Sequence, residues 1–184
     1  FSANGQVSCA PCHDAAKAFT DHAPVSEGID QLRGARNAPS GINAAFSKTQ
    51  FWDGRAPDLE AQSIQPMLNP IEMGMHDEQA VLSVIRNDPS YPDQFVRVFA
   101  IGPSTIDIGH VAKALASYER TLISGDAPFD HYYFENDQQA ISQAAKRGLS
   151  VFFNQAACAS CHTLDRGFAL FTDHQFHNIG VGYD

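Results

Sequence analysis

Apolar residues recur every three to four positions in several stretches of the chain, the spacing of one face of an α-helix. Between Asp77 and Asn87, Val81, Leu82, Val84 and Ile85 form such a face. The stretch "DPSYPDQFVRVFA", 88–100, sets Pro92 in what would be a first helical turn, where a missing N–H costs nothing, ahead of Phe95, Val98 and Phe99. From Asp107 to Ile123, the residues Ile108, Val111, Ala112, Leu115, Tyr118 and Leu122 share a face. From Asp137 to Phe153, Ile141, Ala144, Ala145, Leu149 and Phe152 do the same behind a polar cap at Asn136 or Asp137. These last two segments read as core helices. Alternating β-branched runs bounded by turn residues hardly occur, so few or no strands are expected. The remainder, with ten prolines and thirteen glycines in the chain, reads as loop.

The 184 residues include four cysteines, all of them in two copies of one pattern. "CAPCH" sets Cys9 and Cys12 before His13, and "CASCH" sets Cys158 and Cys161 before His162. C-x-x-C-H is the spacing of a c-type haem attachment site. Each thiol adds to one porphyrin vinyl group, and the next residue then lies under the ring, where its imidazole can bind iron. A thioredoxin-like dithiol would occur once, in a βαβ setting that is not present here, and a four-cysteine zinc site would leave both histidines without a role. Two motifs, each tied to helices, predict an all-α chain of two cytochrome c-like haem domains. The expected division is 1–134 for the first and 135–184 for the second, which is incomplete, with the boundary near Glu135 in "SGDAPFDHYYFEND".

Composition narrows the partners. A formal net charge of −9 argues against nucleic acid and for a basic patch on a partner protein. No run of about 18 apolar residues is present, so no membrane span is expected. The chain opens on "FSANGQVSC", with neither the basic nor the apolar region of a signal peptide, and reads as starting inside a fold. Covalent haem attachment points to the bacterial periplasm.

The segments "NGQVSCAPCHDAAKAFTD", "RNAP", "FWDGRAPDLEAQ", "NPIEMG", "VAKALASYERTLIS", "FDHYY", "RGLSVFFNQAACASCHTL" and "FHNIGV" resemble, in order, the bacterial di-haem cytochrome c peroxidases and their relatives of the MauG type. The resemblance implies two covalently bound c-type haems on Cys9, Cys12 and His13 and on Cys158, Cys161 and His162. It implies that Trp52, the only tryptophan, relays electrons between the haems. Glu72 would be the distal acid–base that moves a proton between the two oxygens of a bound peroxide. Gln62 would orient ligand and water, and Asn37 would lie at a calcium ion. Hydrogen peroxide and a small electron-donor protein, a cytochrome c or cupredoxin, are the implied partners, and a homodimer is among the implied assemblies.

Two departures matter. Many members carry a histidine that closes the first haem's distal face. Its place here falls on Ile29, which implies an open site, with His22 the nearest local substitute. Members also continue past "FHNIGV" to supply a sixth ligand to the second haem. Met67, Met73, Met75, His174 and His177 are the local candidates, none of them assigned. The expected activity is periplasmic reduction of hydrogen peroxide to water. The alternatives are a MauG-like oxidase that modifies a partner protein and a di-haem electron carrier without catalysis.

Overall fold

The computed structural model describes residues 1–180; the end of the expected second domain, 181–184, lies outside the described residues. Six α-helices and no strand occur among them, in line with the all-α expectation. The chain divides into two units, Phe1–Ile123 and Ser124–Asp184, so the boundary expected at Glu135 falls at the C-terminal end of a helix of the second.

In the first unit four helices are α1 (Leu59–Leu68), α2 (Glu78–Asn87), α3 (Tyr91–Phe99) and α4 (Ile108–Glu119). Asp58, Asp77 and Asp107 cap α1, α2 and α4, each side-chain oxygen accepting an N–H from the first turn. α4 packs on α1 and α2 and encloses Met67, Met73, Met75, Val81, Leu82, Ile85, Phe95, Ile106 and Val111. Fully burying one such side chain contributes about 1.5–3 kcal/mol, so this cluster carries most of the unit's stability. Val98 and Tyr118, placed by periodicity on the apolar faces, are 71% and 58% exposed.

Two helices lay outside the expected pattern. α1 carries Pro66 in its last turn, and the aromatic run of α5 (Pro128–Phe134) in the second unit has no helical spacing of apolar and polar residues. The helix expected from Asp137 is α6 (Gln143–Phe153), capped by Ser142. Asp137 instead closes a turn, accepting Gln139 N–H at 2.8 Å, while Asn136 takes a left-handed φ of 68°. Helix α6 is also not a core helix here, since none of its residues is buried.

The loop that follows α1 is knotted by its own hydrogen bonds. Asn69 Oδ1 accepts Ile71 N–H at 3.0 Å, and the Asn69 carbonyl accepts Glu72 and Gly74 N–H at 3.1 and 2.8 Å. Gly74 completes the turn with a φ of +66°, a conformation that suits glycine. Ile29 N–H then donates to the Glu72 carbonyl at 2.8 Å, laying the 28–32 segment over this loop. Gly28 makes that approach possible, because a Cβ there would stand 2.7 Å from Glu72 Cα. Gly28→Ala should therefore destabilise by roughly 1–3 kcal/mol, read as a lowered denaturation midpoint. Gly125→Ala, where a Cβ meets nothing within 4 Å, should leave the midpoint nearly unchanged.

Candidate active site

Both cysteine–histidine motifs are built alike. In each, the histidine N–H donates to the carbonyl of the first cysteine at 2.9 Å, closing one helical turn over Cys9–His13 and over Cys158–His162. After His13, Asp14 caps the short turn Ala15–Lys17, and Ala18 and Phe19 follow with left-handed φ of 56° and 58°. That reversal brings the Phe19 carbonyl to 2.9 Å from His13 Nδ1. In the second unit Phe171, with φ of 54°, presents its carbonyl to His162 Nδ1, also at 2.9 Å. A carbonyl can only accept, so Nδ1 carries the proton and Nε2 keeps its lone pair for a metal. All four thiols are free, as addition to vinyl groups requires.

The surroundings fit a large apolar cofactor. No described residue of the second unit is buried. Its aromatic rings, Phe129, Tyr133, Phe134, Phe152, Phe153 and Phe171, touch one another, and Phe152 stands 6.2 Å from the His162 ring. A flat macrocycle bonded at Cys158, Cys161 and His162 would give such rings the cover they lack.

Glu72 sits half-buried on the loop after α1, and its Oε1 accepts from Asn69 Nδ2 at 2.9 Å. Burial pushes its carboxyl above the ordinary glutamate value, against the pull of Arg55, of the Asn69 hydrogen bond and of His13. The Glu72 charge in turn acts on Cys12, whose thiol is raised first by burial. Loop and first motif therefore share one electrostatic neighbourhood. Arg55 is held by Asp53 at 2.9 Å and lies 3.4 Å over the Phe51 ring. Asn69 and Arg55 were not singled out in the sequence, although both stand inside quoted motifs, "NPIEMG" and "FWDGR".

Gln62 lies half-buried on α1, and among the described residues no hydrogen bond joins it to Glu72. Trp52 is 55% exposed and its indole N–H donates to the Asn37 carbonyl at 3.0 Å. Asn37 is exposed, and its carbonyl is taken by the Trp52 indole. Ile29 is buried against Gly74, and Met67, Met73 and Met75 belong to the core. His177 pairs with Asp173 at 2.8 Å, and ligand atoms of both lie within 4.8 Å of Cys161 Sγ.

Residues 1–139 match the family described as di-haem cytochrome c peroxidase. The chain is 38% identical over 181 residues to the methylamine utilization protein MauG of Methylorubrum extorquens, covering 98% of this chain and 49% of that protein. It is 36% identical over 156 residues to the cytochrome c551 peroxidase of Pseudomonas aeruginosa, covering 85% and 44%. Among solved structures, a MauG-like protein associated with microbial copper homeostasis superposes with a TM-score of 0.79 at 29% identity, over 96% of this chain and 52% of that one. The chain spans about half the length of these relatives.

The folded pKa of Glu72 lies above its unfolded value, so its contribution to stability is present at acid pH and lost as pH rises through the folded pKa. Asn69→Ala removes a bond to the charged form and should raise that pKa further. Carbon-13 NMR titration of the glutamate carboxyls reads this directly, and an unmoved Glu72 midpoint would contradict the role given to Asn69.

Proposed function

The chain belongs to the family of di-haem cytochrome c peroxidases, and from that premise we propose that it reduces hydrogen peroxide to water with electrons from a small cytochrome or copper protein in the bacterial periplasm. The observation that carries this reading is the pair of Nδ1-anchored histidines, each beside two free thiols, with a carboxyl raised by burial, Glu72, in the electrostatic neighbourhood of the first. Among the described residues no helix is long and apolar enough to cross a membrane.

Two haems, held at Cys9, Cys12 and His13 and at Cys158, Cys161 and His162, would supply the iron chemistry that binds peroxide and passes electrons. The remaining chemistry falls to the chain. His13 and His162 each present Nε2 to an iron, fixed in that tautomer by Phe19 and Phe171. Breaking peroxide heterolytically requires a proton to leave one oxygen and reach the other, with two electrons and two protons consumed per two waters formed. Glu72 takes the first proton as base and delivers it as acid, which needs a pKa nearer neutrality than that of a free glutamate. Asn69 holds the carboxylate in place, and Gln62 orients ligand and water. Trp52, whose indole can be transiently oxidised, relays single electrons. Ile29 stands where many members carry a histidine that closes the first iron, so peroxide would bind without prior reduction.

The absence of that histidine at Ile29 favours a second reading, in which the oxidising equivalents act on tryptophan or tyrosine side chains of a partner protein. Turnover with a one-electron donor protein as the sole reductant separates the two.

Glu72→Gln should lower peroxide turnover by roughly 10²–10⁴-fold while both haem masses stay on the chain. A fully haem-loaded Glu72→Gln within tenfold of the wild-type rate would remove Glu72 from the mechanism.

A further inference from the structure

The loop that carries Glu72 is gripped from outside by two segments that the chemistry above does not use. Ile29 N–H donates to the Glu72 carbonyl at 2.8 Å, and Ala3 N–H donates to the next carbonyl, that of Met73, at 2.9 Å. Gly74 meets both segments, since a Cβ there would stand 3.0 Å from Ile29 Cδ1 and 3.8 Å from Ala3 Cβ. The segment 27–33 also reaches the first motif, where the Cys12 thiol donates to the Glu27 carbonyl at 3.9 Å. Only Gly28 separates the residue that meets Cys12 from the residue that meets Glu72.

That segment is strained and is held from outside. Gly28 N–H on the Leu32 carbonyl at 2.8 Å and Leu32 N–H on the Ile29 carbonyl at 3.0 Å close it into a tight turn, and an ion pair of Arg33 with Glu27 at 3.3 Å ties its base. Within the turn Asp30 and Gln31 both take left-handed backbone, with φ of 52° and 63°, a conformation that costs free energy at any residue but glycine. The Asp30 carboxylate is anchored beyond the turn, its Oδ1 accepting from Asn4 Nδ2 at 3.0 Å. Asn4 is itself oriented: its Oδ1 accepts Ser2 Oγ–H and Gln6 N–H, both at 3.0 Å, which turns the amide nitrogen toward Asp30. Ser2 is buried and accepts Val7 N–H at 2.8 Å, so the 2–7 turn is fixed by its own bonds.

We propose that Asn4 and Asp30 are positioning residues for Glu72, forming a latch that holds segment 27–33 between the first motif and the Glu72 loop. The latch joins the grip of Ile29 to the grip of Ala3, so that the two act together on consecutive carbonyls of that loop. Cutting it lets the strained turn relax and water reach the half-buried Glu72 carboxyl, whose pKa then moves down toward the ordinary glutamate value. Asn69, Arg55 and His13, which pull on the same carboxyl, are untouched by the cut. The inference rests on the acid–base role proposed for Glu72.

Two variants of the haem-loaded full chain cut the latch from opposite sides. Asn4→Ala removes the donor, and Asp30→Gly removes the acceptor while suiting left-handed backbone. Both side chains are exposed, so each variant should speed amide exchange in peptides spanning 27–33 by roughly threefold to tenfold. Each should also lower the Glu72 midpoint in carbon-13 titration and reduce kcat/KM for peroxide by roughly threefold to tenfold, with the acid limb of its pH profile moved to lower pH. The double variant should match either single one. Asp30→Asn removes the charge but keeps an acceptor oxygen, and should hold the wild-type midpoint and exchange. Unchanged exchange in both single variants, or additive effects in the double, overturns the latch. Faster exchange with an unmoved Glu72 midpoint overturns the positioning role. A wild type without peroxide turnover overturns the proposed function alone, since exchange and titration still decide the latch.

Discussion

One hydrogen bond, from an imidazole Nδ1 to a backbone carbonyl, decides what each cysteine–histidine motif can do. Without it the imidazole could rotate or carry its proton on either nitrogen, and the lone pair needed by a metal would be available only part of the time. Phe19 and Phe171 supply that carbonyl at the same distance in both units, and both do so from left-handed backbone. The strain of that conformation at a non-glycine residue is offset by an oriented ligand. The surrounding turns, Asp14 with the bridge to Thr20 in the first unit and Thr163 bonded to the Thr172 carbonyl in the second, serve to hold that carbonyl still.

The two units meet the cost of folding differently. The first owns an apolar core of methionine, valine, leucine, isoleucine and phenylalanine between α1, α2, α3 and α4. The second has aromatic contacts and no buried residue among those described, so its packing depends on what its rings are laid against. The haem proposed at Cys158, Cys161 and His162 would then be part of the fold as well as the chemistry.

How much of this could be read from the chain depended on whether a residue's role is local. Asp77 and Asp107 announce their helices because capping needs only the next turn. Asp137 looks equally suitable but closes a tighter turn, and Ser142 takes the cap, a choice made by backbone geometry that composition does not record. Both C-x-x-C-H motifs are visible because thioether chemistry dictates their spacing. The carbonyls of Phe19 and Phe171 are not, since any residue has a carbonyl and only the fold turns it. Asn69 could have been found from its position three residues before Glu72.

Glu72, a carboxyl raised by burial, stands in the electrostatic neighbourhood of the first motif. Asn69 and Arg55 temper its charge. The central proposal is that an iron held by His13 would be open to peroxide and would work beside a second iron held by His162. Electron paramagnetic resonance of the ferric protein, before and after hydrogen peroxide, tests it most directly. The account predicts a high-spin signal beside a low-spin one, with the high-spin signal consumed by peroxide. Two low-spin signals indifferent to peroxide would contradict it.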